Sequence, residues 1–206
     1  MPLNRILNSI IHDNYDFSVL LFNAPYSIIA NSVFYNNSVG IEVVNSSYVE
    51  IYNNIIEKNG VGVCIESPDI YDVGARLRAL IRMWEKRKLP SRGATKVTVS
   101  DCRIFGNIYI NIIVIGTNFV TIRNSDINNA SEANIFAWQS ILKVYNCTIY
   151  TSRVGIYVEE CPVNTIIGNR IYNHSYAGFK LFKCVYTGVL YWIILNLLAI
   201  NLLKQG

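Results

Sequence analysis

Histidine is nearly absent from this 206-residue chain, which has only His12 and His174, and none of its five cysteines falls in a C-x-x-C pair. Local ligand spacing for a metal is therefore missing, and no motif implies a cofactor. Charge is scarce too, at 16% of residues, while 51% of side chains are apolar. That balance excludes a disordered chain and supplies enough apolar material for one sizeable core. The start, MPLNRILNSIIHDN, is interrupted at Asn8, Ser9 and His12, so it lacks the continuous apolar core of a secretory signal. One long uncharged tract, Thr187 to Leu203, is slightly short for a spanning helix and contains Asn196 and Asn201.

What the chain has in excess is 30 Ile and 24 Asn. Asn competes with the helical backbone and Ile prefers strands, so the composition points to an all-β chain rich in turns. Internal repetition is the strongest signal. The pattern apolar-x-Asn-x-x-apolar begins at Ile6, Ile29, Ile51, Val99, Ile122, Val144 and Ile166, with Asp101 and Gly168 standing in for Asn in two copies. The starts are separated by 23, 22, 48, 23, 22 and 22 residues, the single outlier being one repeat plus an insertion of 26. About eleven residues after a start comes a Gly-apolar-x-apolar pattern, at Gly40, Gly62, Gly155 and Gly178.

Apolar residues at every second position are the signature of strands with one buried face. A unit of 22 residues cannot bury that face alone, but units stacked in parallel can, each apolar side chain lying roughly 4.8 Å from its counterpart. The sequence thus predicts a parallel β-helix with two or three short strands per repeat. Asn8, Asn31, Asn53, Asp101, Asn124 and Asn146 share one turn position and Asn14, Asn37, Asn59 and Asn107 another. Asn tolerates the left-handed backbone of sharp turns, and stacked amides can hydrogen-bond from coil to coil.

These repeats resemble those of right-handed parallel β-helix proteins of the pectin-lyase-like superfamily, in particular the short Asn-rich coils of NosD-like proteins. The resemblance covers residues 6 to about 187 apart from the insertion, and implies a right-handed solenoid of seven to eight coils. For function it implies several classes at once: polysaccharide lyases, hydrolases and epimerases, phage and virus spikes, adhesins, and periplasmic accessory proteins. The catalytic motifs of the enzymes are missing. There is no Asn-Thr-Asp or Asp-Asp pair of the polygalacturonase kind, no Arg-x-Pro-x-x-Arg of pectate lyases and no Asp-Pro-His-Glu of alginate epimerases.

Three regions are expected: a solenoid over residues 1–188, an insertion over 68–95, and a tail over 189–206. One more period from Ile166 lands on Val189, so the tail reads as a degenerate last coil or a cap, with a membrane anchor over 187–203 as the competing account. No cap is visible before the first coil, which points to a longer solenoid, a capping subunit or a homo-oligomer at that end. The insertion (ARLRALIRMWEKRKLPSRG) carries Val73, Leu77, Ile81 and Trp84 at helical spacing and reads as an amphipathic basic helix. Residues 69–96 have a net charge of +5, leaving −1 for everything else. Arg76, Arg78, Arg82, Lys86, Arg87 and Lys88 are the candidate binding residues, either solvated on the flank or facing an acidic polysaccharide or a subunit. Nucleic acid is disfavoured because no stacking aromatics are interleaved with the cations.

Two functional readings stand. The first is a non-catalytic scaffold at an extracellular or virion surface, presenting a lateral face and the basic helix to glycan or to other subunits. The second is a carbohydrate-active lyase, hydrolase or epimerase, with Glu42, Glu66 and Arg76 as the candidate catalytic residues beside the excursion. Glu42, Cys64, Tyr157 and Lys180 fall on one outward register, with Glu66 and Glu159 on the next. His12 and His174 read as turn residues. Cys161 and Cys184 share a register in adjacent coils, within disulfide reach, and are either bonded or stacked as free thiols.

Overall fold

The computed structural model describes residues 4–67, 95–184, 186–190 and 201–202. The described chain climbs in coils. The first holds β1 (Arg5–Leu7), β2 (Ile10–His12) and β3 (Phe17–Phe22); the second β4 (Ile28–Ala30), β5 (Val33–Tyr35) and β6 (Val39–Val44); the third β7 (Glu50–Tyr52), β8 (Ile55–Glu57) and β9 (Val61–Glu66). The fourth has β10 (Thr95–Ser100), β11 (Arg103–Phe105) and β12 (Ile110–Ile115). From the fifth onward the second and third strands merge: β13 (Asn118–Arg123) precedes β14 (Asp126–Trp138), β15 (Leu142–Tyr145) precedes β16 (Thr148–Glu159), and β17 (Val163–Ile167) precedes β18 (Arg170–Phe182). Last come β19 (Tyr186–Leu190) and β20 (Asn201–Leu202).

Every strand pairing is parallel. One sheet runs β1-β4-β7-β10-β13-β15-β17-β19, and the other strands form a twelve-stranded sheet joined through β14. The repeat read from the sequence is the register: Ile6 pairs with Ile29, Ile29 with Ile51, Ile51 with Val99 and Ile122 with Val144. Ile166 pairs with Val189. Inside, columns such as Ile29, Ile51, Val99, Ile122 and Val144, or Ile41, Val63, Ile112, Ile135 and Ile156, are fully buried. Each such side chain contributes about 1.5–3 kcal/mol of transfer free energy, so stacking rather than any single coil stabilises the fold.

The corners obey a two-residue rule. A residue with positive φ (Asn31, Asn45, Asp101, Asn124, Gln139, Asn146) turns the chain. The next residue is small and polar, points inward, and donates back to the carbonyl two positions earlier: Ser32 to Ala30 at 2.8 Å, Ser125 to Arg123 at 2.8 Å, Cys102 to Ser100 at 3.1 Å and Cys147 to Tyr145 at 3.2 Å. Where that residue is Ser the same atom also accepts a backbone N–H from the previous coil, as Ser125 Oγ does from Cys102; Asn169 divides the two roles, Oδ1 accepting from the Cys147 N–H and Nδ2 donating to the Val144 carbonyl. Buried corner N–H groups are thereby satisfied without helix or sheet partners.

At the corner between the second and third strands the inward column reads Asn14, Asn37, Asn59, Asn107, Ala130, Ser152 and His174. Its amides bond in series, Asn14 to Asn37 at 2.9 Å, Asn37 to Asn59 at 2.9 Å and Asn59 to Asn107 at 3.1 Å. Ala130 breaks the series, and Asn111 and Asn134, in the strands, carry it on: Asn107 donates to Asn111 at 2.6 Å, Asn111 to Asn134 at 2.8 Å and Asn134 to the Tyr150 carbonyl at 2.8 Å. Among the described residues there is no helix; the helical excursion expected over 68–95 lies, but for Thr95, outside them. No helix among them is long and apolar enough to cross a membrane.

Candidate functional site

Alternation along β6, β9, β12, β14, β16 and β18 sends Ile41, Val63, Ile112, Ile135, Ile156 and Phe179 into the solenoid and the residue after each to the outside. Register makes that outer row Leu20, Glu42, Cys64, Ile113, Phe136, Tyr157 and Lys180. The next outer row is Phe22, Val44, Glu66, Ile115, Trp138, Glu159 and Phe182. Sequence spacing alone placed Glu42, Cys64, Tyr157 and Lys180 together, and the structure does the same.

Exposure along this face differs from expectation. Glu42 and Glu66, read from the sequence as candidate catalytic residues on outward registers beside the excursion, are 0% and 2% exposed. They border a second apolar cluster outside the solenoid, formed by Val61, Cys64, Ile110, Ile113, Ile115, Ala133, Phe136 and Val154. One donor atom from each of Glu42, Cys64 and Glu66 lies within 4.8 Å of the other two, and the Cys64 thiol is 3.8 Å from Glu66 Oε2. Local spacing along the chain does not reveal this set, because it is the solenoid that brings residues of adjacent coils into one cluster. Two carboxylates and a thiol are donors able to hold a divalent cation. Arg76, Arg78, Arg82, Lys86, Arg87 and Lys88 lie outside the described residues.

Further along the same face the buried row opens into a half-exposed cluster. Lys180 Nζ sits 4.2 Å from the centre of the Tyr157 ring and 6.0 Å from that of Tyr176. Arg153 is 5.7 Å from the Tyr176 ring and pairs with Glu132 at 3.0 Å. The Tyr157 hydroxyl donates to Glu159 at 2.7 Å. Burial first, and then the Glu159 carboxylate, raise the Tyr157 pKa, so this phenol keeps its proton through the neutral range. Arg153, Glu132 and Tyr176 were not visible as site residues in the sequence, since they sit where the register slips, Glu132 between Ala130 and Ala133 on β14, and Arg153 and Tyr176 at the slip between β16 and β18.

Two further groups bear on chemistry. His12 Nδ1 lies 2.6 Å from Asp13 Oδ2, and the ring stacks on Tyr35 at 4.6 Å. The bond from His12, and then that from Asn36, hold the Asp13 carboxyl below its ordinary pKa. Cys161 and Cys184 are free thiols: Cys161 Sγ accepts the Ser140 N–H at 3.3 Å and Cys184 Sγ lies 3.4 Å from the Phe182 carbonyl, each filling a corner slot. Burial pushes the Cys161 thiol up to about 12 and those of Cys102 and Cys147 up to about 11.

Parallel coils, inward columns and two-residue corners define a β-solenoid with one half-exposed lateral face. The chain belongs to the right-handed β-helix family, whose model, described as a right-handed beta helix region, matches residues 3–69 and 90–191. No curated protein matches the sequence. Among solved structures the chain is similar to the A-modules of two Azotobacter vinelandii mannuronan C-5 epimerases, AlgE4 and AlgE6. The first is 16% identical with a TM-score of 0.65 over 93% of this chain and 56% of its own; the second is 14% identical with a TM-score of 0.69 over 93% and 55%. It is also similar to a double mutant of the periplasmic alginate epimerase AlgG, 12% identical, with a TM-score of 0.73 over 92% of this chain and 44% of the other. The chain therefore spans about half the length of the solved structures it matches, and at these identities the likeness is one of fold.

Proposed function

We propose that the protein is a glycan-binding β-solenoid whose binding surface is the outer face of β16 and β18, centred on Arg153, Tyr157, Tyr176 and Lys180. The observation that carries this reading is the placement of two cations around one exposed tyrosine: Tyr176 is 46% exposed, with Arg153 and Lys180 both over its ring. A half-exposed phenol offers a flat apolar face and a polar tip. The flanking cations attract carboxylates, so a polymer of acidic sugars is the fitting ligand. The basic residues Arg76 to Lys88 would add to the same attraction from the excursion that leaves after β9. The test is binding of polymannuronate, against a neutral glucan, to the wild-type chain and to an Arg153→Ala, Lys180→Ala double variant. Salt-sensitive binding that the double variant loses supports the reading; equal binding of both polymers, or an unaffected double variant, overturns it.

Catalysis on the same polymer is the second reading, favoured by the proton-carrying Tyr157–Glu159 pair and by solved neighbours named mannuronan C-5 or alginate epimerases. The earlier candidates Glu42 and Glu66 are too deeply buried for a polymer to reach, which moves this reading to Tyr157. New unsaturated ends, new reducing ends or exchange of sugar protons with solvent, each lost in Tyr157→Phe, would establish a lyase, a hydrolase or an epimerase respectively.

A further inference from the structure

His174 closes the inward corner column, and its contacts require more hydrogens than a neutral ring supplies. Nε2 lies 3.2 Å from the Ile149 carbonyl, which can only accept, so Nε2 carries a proton. Nδ1 lies 2.9 Å from Ser152 Oγ, and that oxygen is 2.7 Å from the Val154 carbonyl, again an acceptor. Three contacts need three hydrogens. Neutral imidazole and one hydroxyl provide two, so the Ser152 hydrogen serves either Nδ1 or Val154. An imidazolium provides the third: Nδ1–H then donates to Ser152, and Ser152 donates to Val154.

This choice sits at the pivot of the exposed cluster. Between the pairs Ser152–His174 and Val154–Ala177 the register slips, so that Arg153 on β16 faces both Ser175 and Tyr176 on β18. A bulge sets the aim of its side chains, and the Ser152 bond to the Val154 carbonyl spans this one. Arg153, Ser175 and Tyr176 are the residues held in it.

We propose that His174 is a proton-operated latch, in which uptake of a proton from solvent moves the Ser152 hydroxyl from Nδ1 to Val154 and re-aims Arg153 against Tyr176. The strands packed at this corner carry Asp126 and Glu132 on β14, Tyr150, Arg153, Tyr157 and Glu159 on β16, and Arg170, Tyr172, Tyr176 and Lys180 on β18 itself. Arg153 and Glu132 pair with each other, and Arg170 and Lys180 lie over the rings of Tyr172 and Tyr157. Burial lowers the His174 pKa, opposed by its bonds at Ile149 and Ser152, and no charge is among the causes. The added bond thus works against the cost of a buried cation, which sets the latch to respond on the acid side of neutrality. The latch regulates the proposed glycan face and rests on that reading for its biological consequence, but not for its existence.

The experiment follows imidazole nitrogen shifts in the full chain from about pH 7.5 to about pH 5, the range in which histidine switches. His12→Gln leaves His174 as the sole imidazole. Neutral His174 protonated at Nε2, with Arg153 Nε and Tyr176 ring resonances moving at the His174 midpoint, is the expected result. Ser152→Ala should abolish the movement of Arg153 and Tyr176 while His174 still titrates. His174→Asn, the residue of the first four coils, should abolish it altogether. Resonances of Arg153 and Tyr176 that stay still through the His174 midpoint overturn the latch, as does movement that survives Ser152→Ala. No glycan is present, so a failure of polymannuronate binding would sink the functional reading alone.

Discussion

A Cβ built on Gly155 would lie 2.7 Å from Nε2 of His174 and 2.3 Å from the carbonyl oxygen of Gly178. The strand residue that opens each third face abuts the corner residue of the following coil. Gly62 faces Asn107, where a Cβ would come within 2.8 Å of the amide nitrogen. Where the corner residue shrinks to Ala130 or Ser152, the abutting strand position grows to Asn111 or Asn134. The Gly in the repeat is therefore a matter of room, for the next coil's backbone carbonyl and for its buried corner side chain.

Gly155→Ala and Gly62→Ala should each destabilise the fold by about 1–3 kcal/mol, the usual cost of overpacking a core. Gly106 has positive φ but no neighbour nearer than 4.0 Å, so Gly106→Ala should cost only the left-handed backbone, about 1 kcal/mol. Urea midpoints at constant slope separate the two effects.

Asn59→Ala should cost about 3 kcal/mol or more. Asn59 Oδ1 accepts from the Asn37 N–H and side chain, and its amide nitrogen donates to Phe34 and Asn107, so buried groups on both sides lose partners. Asn53, whose amide donates to Asn31 at 2.7 Å on the exposed side of a corner, should cost about 1 kcal/mol on replacement by Ala. Equal losses from the two replacements would refute the buried ladder as the dominant stabilising network.

All five cysteines should react with a thiol reagent after unfolding without reductant, whereas a Cys161–Cys184 bond would leave three. In the folded protein at about pH 8, near the ordinary thiol pKa, Cys102, Cys147 and Cys161 should react slowly, because burial raises their pKa to about 11, 11 and 12. Cys102→Ser should change stability by no more than about 1 kcal/mol, since Ser32 and Ser125 fill equivalent slots.

Stability should fall as pH drops through the ordinary histidine range. The His174 pKa is lowered by burial, so between its folded and unfolded values the unfolded chain binds more protons, and stability rises with pH there. His174→Asn should flatten that part of the profile, as followed by thermal denaturation from about pH 4 to about pH 8.

How far the molecule is legible in its sequence depends on whether a feature recurs. Ile29, Ile51 and Val99 recur at the repeat, so strands, registers and the Asn59–Asn107 ladder were readable, even across the 48-residue step. That Cys102 and Cys147 fill a polar corner slot was less legible, because their type varies along the column: Ser125 lies in the coil between them and Asn169 in the coil after. The burial of Glu42 and Glu66 was not legible, because alternation specifies which face a residue occupies and not what lies against that face. Arg153 and Tyr176 escaped for the opposite reason: they depart from the period that made the rest readable.

The step from β9 to β10 leaves the stacking of the coils as it is elsewhere. Asn59 and Asn107 bond at 3.1 Å across 48 residues, against 2.9 Å for Asn37 and Asn59 across 22. Neighbouring coils thus meet alike whether the chain between them is short or more than doubled, and closing a longer loop adds entropy only slowly. Ser67 and Thr95 in effect frame a socket. A foreign domain with closely spaced ends, spliced between Ser67 and Thr95, should leave the solenoid's hydrogen-exchange protection unchanged on either side, making this fold a carrier for grafted cargo.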